Sequence, residues 1–267
     1  MGNKIGLLAA LVAASLTATA QTGPTSTLYL TIDQGAYSYF QVVQGNSVSA
    51  PVRTSYGTDE FPIAVWGDVR TDGNDPTIPG GQYTLGLTPT GTSYAPLPGF
   101  ISQPDDGTSD GTHNYVVDTQ GGIVYQTARD FTNVVPLFNS GLPFAEGITY
   151  DPVNKSLWIC SYFQSTFIDD FSLSGTLLSS FDVGHSDNFG LAMDPADHTL
   201  WLTNNSTLEL EQYSTTGTLL SLGPFVSGSG GAEFNLAPTT TPEPGTLIMF
   251  GSGVLSLAGI LRRKIKL

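Results

Sequence analysis

The chain has 267 residues, with 23 Asp and Glu against nine Lys and Arg and a formal net charge of −14. Such a surface repels phosphate backbones and excludes a nucleic-acid partner. Its 31 Gly, 17 Pro and 12% charged residues suit many short strands and turns in one large domain or two small ones.

The first twenty residues have the three parts of a secretory signal peptide. Lys4 supplies the positive end, Ile5 to Leu16 the apolar segment, and Ala18-Thr19-Ala20 the small-residue cleavage site. The apolar run is short for an uncleaved membrane helix. Export follows, with Gln21 as the first mature residue.

Residues 21–237 form the exported region, and a repeat organises it. "GITYDPVNKSLWICS" (147–161) and "GLAMDPADHTLWLTN" (190–204) share Gly, Asp-Pro and Leu-Trp at an offset of 43. Each reads as strand, Asp-Pro turn, strand. "SGTLLSSF" (174–181) and "TGTLLSLG" (216–223) follow at an offset of 42. A further partial copy opens the region: "TLYLT" (27–31) parallels "TLWLT" (199–203) but has no strand before it. "EFPIA" (60–64), "NFGLA" (188–192) and "EFNLA" (233–237) share Phe and, three positions on, Ala. The last of these has no strands after it, so 233–237 and 27–48 together complete one unit. Residues 66–145 alternate as strands should, at irregular spacing.

Units of about 40–45 residues with four short strands are the signature of β-propeller blades. The expected fold is an all-β propeller of five blades, with the first and last strands sharing a blade and leaving no exposed sheet edge. A β-sandwich is the other fold compatible with short alternating strands. The opening Gly190-Leu191-Ala192-Met193-Asp194-Pro195 resembles blades of NHL and lactonase-type propellers.

Beyond a Pro/Thr linker (238–244) that ends in Pro242-Glu243-Pro244, residues 245–261 are uncharged and a basic end (262–267) carries Arg262, Arg263, Lys264 and Lys266. As a helix the uncharged segment is about 25 Å long, enough for a thin bilayer. The basic residues would stay cytoplasmic, leaving 21–241 outside. Two prolines keep the motif extended and accessible to an enzyme at the membrane face. This order of parts resembles the bacterial PEP-CTERM sorting signal. The resemblance implies an exosortase-type processing enzyme, anchorage in the inner membrane before processing, then release to the cell surface or beyond, often among exopolysaccharide of a biofilm matrix or envelope proteins. A plain single-pass anchor is the alternative.

Motifs for chemistry are sparse. His113, His185 and His198 have no zinc-ligand spacing, and neither a P-loop nor a Gly-x-Ser-x-Gly elbow occurs. Cys160 lies among Leu157, Trp158 and Ile159, the setting of a buried thiol. Glu60, Glu146, Asp187, Asn188 and Glu233 fall at expected entrances of innermost strands, and Asp105 and Asp106 near the fifth. Converging there, they would form a Ca²⁺ site. The "AEGITYDP" stretch (145–152) loosely resembles the Glu-bearing strand of lactonase-like propellers, although Glu146 aligns with Phe189 rather than with Asn188. Tyr37, Tyr39, Tyr56 and Tyr94 suit cross-strand packing or a sugar-stacking surface. The functional reading is a non-catalytic envelope or matrix protein that binds a polymer or another protein without a cofactor. The competing class is a metal-dependent lactonase or hydrolase on the same scaffold.

Overall fold

Short runs rich in Val, Ile, Leu and aromatic residues, separated by Gly, Asp-Pro and Ser turns, fold into 21 strands in the computed structural model, which describes residues 22–238. The signal peptide, the Pro-Glu-Pro motif, the apolar segment and the basic end lie outside the described residues. Residues up to Leu236 belong to one compact unit and those from Ala237 onward to another.

The strands form five antiparallel sheets arranged as a propeller. The first blade contains β1 (Leu28–Asp33), β2 (Ser38–Gln44), β3 (Ser47–Val48) and β4 (Val52–Arg53). The second runs β5 (Glu60–Val65), β6 (Val69–Gly73), β7 (Gly81–Tyr83) and β8 (Pro89–Ser93). In the third are β9 (Gly107–Ser109), β10 (His113–Val117), β11 (Ile123–Ala128) and β12 (Val135–Asn139). The fourth holds β13 (Ala145–Asp151), β14 (Ser156–Ser161), β15 (Phe167–Ser172) and β16 (Leu177–Asp182). The fifth comprises β17 (Asn188–Asp194), β18 (Thr199–Asn204), β19 (Glu209–Ser214) and β20 (Leu219–Phe225). The last strand, β21 (Ser229–Phe234), returns to the first blade and pairs with β1. Strands β5, β9, β13, β17 and β21 neighbour one another around the centre.

Ring closure therefore joins the two ends of the exported region as the repeats imply. The strand that performs it differs. It is "SGGAEF", four residues upstream of "EFNLA", with Leu28 opposite Phe234 and Tyr29 opposite Glu233. The reason is steric. A Cβ on Gly231 would lie 2.7 Å from the Phe61 carbonyl oxygen and 2.9 Å from that of Asp105, so the crowded centre needs glycine there. Phe234 consequently has no equivalence with Phe61 and Phe189, despite the shared letters.

The repeated Asp-Pro turn has two tasks. Asp151 Oδ1 accepts the Val153 and Asn154 amides at 2.8 and 3.1 Å, and Lys155 closes the turn at φ 56°. Asp194 accepts the Ala196 amide at 2.9 Å, with His198 at φ 57°. These are Asx turns, in which the side chain takes the place of a backbone acceptor. Each aspartate also clasps the next blade. Asp151 bonds His198 Nε2 at 3.0 Å, and Asp194 accepts the Thr25 and Ser26 amides at 3.1 Å.

Trp158 and Trp201 occupy equivalent positions on β14 and β18, each 1% exposed. Trp158 packs with Leu191, Met193 and Leu202 of the following blade, and Trp201 belongs to the cluster containing Leu28 and Leu30 of the first. Replacing either with Ala should cost about 3–5 kcal/mol by chemical denaturation. A change within about 0.5 kcal/mol, as at surface sites, would contradict this packing.

The irregular zone is also explained. Residues 94–106 link β8 to β9, and the link buries Tyr94, Leu97 and Ile101 against Val116 and Phe131. A connection with its own core contacts breaks the period of the repeat.

Candidate functional site

The centre of the ring is filled by one carboxylate. Asp106 precedes β9 and is completely buried. Its Oδ2 accepts the Ile148 and Leu191 amides, each at 3.1 Å, from β13 and β17. Its Oδ1 accepts the Ala232 amide of β21 at 3.0 Å and that of Gly107 at 2.8 Å. Burial pushes the Asp106 pKa well up, while these four amide bonds favour the ionised form. Two N–H bonds on each oxygen is the arrangement a carboxylate needs. Hydroxyls continue the stitching: Thr31 donates to the Phe61 carbonyl at 2.7 Å and accepts the Gly231 amide at 2.9 Å, while Thr108 and Thr149 accept the Tyr150 and Met193 amides.

Of the residues expected to hold Ca²⁺, Glu146 lies beside Asp105, whereas Glu60, Asp187 and Asn188 are bonded elsewhere. Glu60 is buried with both oxygens in use: Oε1 takes the Tyr56 and Gly57 amides at 2.6 Å, and Oε2 takes the Thr71 and Tyr83 hydroxyls at 2.5 and 2.7 Å. Glu233 lies within β21 rather than at its entrance, accepting the Thr149 hydroxyl at 3.2 Å, and its Oε2 has no partner. Burial pushes its pKa well up, with the Asp106 charge adding to the shift. Asp187 accepts the Ser206 hydroxyl, and Asn188 donates to the His185 carbonyl at 3.0 Å. Among the described residues, no group of three or more His, Cys, Asp or Glu side chains is placed to hold a metal.

Glu146 has a different setting. It is the second residue of β13, as Phe61, Phe189 and Gly230 are of β5, β17 and β21. Those positions and Asp105 surround the channel mouth. There a cavity of about 380 Å³ is lined by Asp33, Phe61, Asn74, Asp105, Phe189 and Ser229, among others. Asn74 Nδ2 donates to Asp105 at 3.3 Å. Burial, then the charge of the neighbouring Asp105, pushes the Glu146 pKa up, and burial raises that of Asp105.

An aromatic run leads away from this mouth. Phe189 lies 4.4 Å from Tyr162 between ring centroids, Tyr162 is 6.2 Å from Phe163, and Phe163 is 5.6 Å from Phe144. Of these rings the sequence singled out Phe189, as the shared Phe of "NFGLA", while Phe144, Tyr162 and Phe163 lie outside the repeat. The tyrosines it did single out are used inside the fold or against another side chain. Tyr94 is buried, Tyr56 packs on Tyr83 at 5.2 Å, and Tyr37 lies under the Arg53 guanidinium at 3.3 Å. Tyr39 is half-buried on β2. Arg70 and Arg129 both pair with Asp68, at 2.8 and 2.6 Å, so most cations of the exported region are already engaged.

His185, behind the mouth, bonds Glu211 at 2.8 Å, and Asn204 and Tyr213 also donate to that carboxylate at 3.0 and 2.7 Å. The Glu211 bond raises the His185 pKa. Burial opposes the Glu211 charge, yet the bonds from His185, Asn204 and Tyr213 hold its pKa below the usual value. The His185 contribution to stability is complete below its unfolded pKa, near 6.5, and is lost as pH rises through its higher folded value. That of Glu211 is present above its unfolded pKa, about 4.3, and is lost as pH falls through its lower folded value. The pair therefore stabilises best between those limits. Glu211→Gln should lower the urea midpoint more at pH 5.5 than at pH 8.5, and an equal loss at both would contradict the linkage.

Residues 240–264 match the PEP-CTERM protein-sorting motif. No curated protein shows significant sequence similarity to the chain. A solved chain described as a nidogen/laminin complex superposes with a TM-score of 0.53 at 13% identity, over 79% of this chain and 100% of that one. A functionally unknown protein from Desulfotomaculum acetoxidans gives 0.49 at 16% identity over 82% and 75%. Virginiamycin B lyase from Staphylococcus aureus gives 0.47 at 12% over 73% and 68%. At these identities the likeness is one of fold alone. The chain is a five-bladed β-propeller that carries a PEP-CTERM protein-sorting motif at residues 240–264.

Proposed function

We propose that this is an exported, non-catalytic binding protein of the cell envelope or extracellular matrix, delivered by its C-terminal sorting signal and processed there by an exosortase-type enzyme. The mouth of the propeller is its binding surface. The observation that carries this reading is the division of labour at the centre. Asp106 is committed to four main-chain amides, whereas the cavity above it is open and lined by unlike side chains from several blades. A concave site with a few polar groups and aromatic walls suits recognition. Glu60, one of the carboxylates a metal-dependent hydrolase could use, is engaged by protein donors through both oxygens. The test is retention of the full chain on extracellular polymer and envelope material from its host. Specific retention supports the reading. Passage through both without delay would overturn it.

A further inference from the structure

An aromatic run lies beside the mouth. Phe144 and Phe163 are 36% and 49% exposed, and they continue through Tyr162 to Phe189 at the cavity wall. Exposing two phenylalanines side by side forgoes part of the gain from burying them. Phe144 also holds φ at 49°, a left-handed conformation that is unusual for a bulky residue and is kept only where the surroundings enforce it.

Those surroundings are well braced. The Tyr162 amide donates to the Phe144 carbonyl at 2.9 Å, and the Asp187 amide donates to the Tyr162 carbonyl at 2.8 Å. Ser161 Oγ donates to the carbonyls of Pro143 and Phe163, the latter at 2.8 Å. The loops before β13 and after β14 are thus tied together, and the rings are positioned before any ligand arrives. Rings fixed in advance lower the ordering cost of binding.

The chemistry of the ligand follows from what lies next to the rings. Asp33 and Asp105 line the cavity beside Asn74, offering hydrogen-bond acceptors within reach of whatever covers Phe189. A ligand that matches both must have an apolar face for the rings and a hydroxyl-bearing edge for the acids. A sugar ring has this form. The carboxylates at the mouth oppose a polyanion, and no Lys or Arg lines the cavity to offset them.

We infer that Phe144, Phe163 and Tyr162, together with the cavity at Phe189, form a subsite for an uncharged polysaccharide. This rests on the binding reading above and narrows it to a ligand class. The test uses the full chain in mild detergent, run through native gels containing dextran, hydroxyethyl cellulose or alginate. It is repeated with the Phe144→Ala/Phe163→Ala double variant, whose exposed positions leave the core intact. The wild type should be retarded by an uncharged glucan and not by alginate, and the double variant should bind about tenfold more weakly with an unchanged unfolding midpoint. No retardation by either glucan would overturn the inference. So would retardation by alginate alone, equal binding by the variant, or retention on host material traced to a protein. If retention on host material persists while the glucan result is negative, only the sugar subsite fails. If both are lost, the binding reading fails as well.

Discussion

Replacing Asp106 with Ala is expected to remove most of the stability of the propeller. The substitution deletes the acceptor of four buried amides, from Gly107, Ile148, Leu191 and Ala232, on four different inner strands. Each unsatisfied buried group costs about 1–3 kcal/mol, so a loss of at least about 4 kcal/mol is expected against a typical total of about 5–15. Asp106→Asn gives a second reading of the same claim. Its shape is nearly unchanged, but its NH₂ faces amides that can only donate, so roughly half of the loss should remain. Urea denaturation measures both. An Asn variant as stable as the wild type would show that the carboxylate is dispensable.

The second large effect concerns closure. A chain ending at Gly228 lacks β21, which leaves the backbone edge of β1 unpaired and removes the Ala232 amide from Asp106. Leu28 and Leu30, both fully buried, belong to the cluster that includes Ala232 and Phe234. An open, apolar edge is a template for association with other chains. The truncated protein is expected to aggregate or to lose cooperative unfolding. A soluble monomer with one sharp transition would contradict the closed ring.

The parts legible in the sequence were those that repeat for a local reason. Asp151 and Asp194 each shape their own turn, and Trp158 and Trp201 each fill the same gap between blades, so the residue types recur with the structure. The incomplete units at the two ends also pointed to ring closure. Letters misled where the centre constrains backbone rather than side chain. The glycines of "SGGAEF", not the shared Phe of "EFNLA", let β21 approach Phe61 and Asp105. Glu233 was accordingly placed at a strand entrance when it lies inside the strand.

Asp106 had no counterpart in the other blades, since one side chain serves four of the five inner strands. Its sequence signal was a place near the fifth expected strand entrance, which suggested a metal ligand rather than an acceptor of main-chain amides. The aromatic run was equally hidden. Phe144 and Phe163 belong to loops of different connections, which the pairing of Ala145 with Ser161 and the bond from Tyr162 to Phe144 bring together.

Delivery precedes any binding at the mouth, and the Pro242-Glu243-Pro244 motif lies within the matched sorting segment. Intact-mass measurement of the protein recovered from its host tests this most directly. A mature form that begins at Gln21 and ends near Pro244 is the expected result, and replacing Pro242, Glu243 and Pro244 with Ala should accumulate a membrane-bound precursor. A mature form still running to Leu267 would contradict processing and leave a permanently anchored protein.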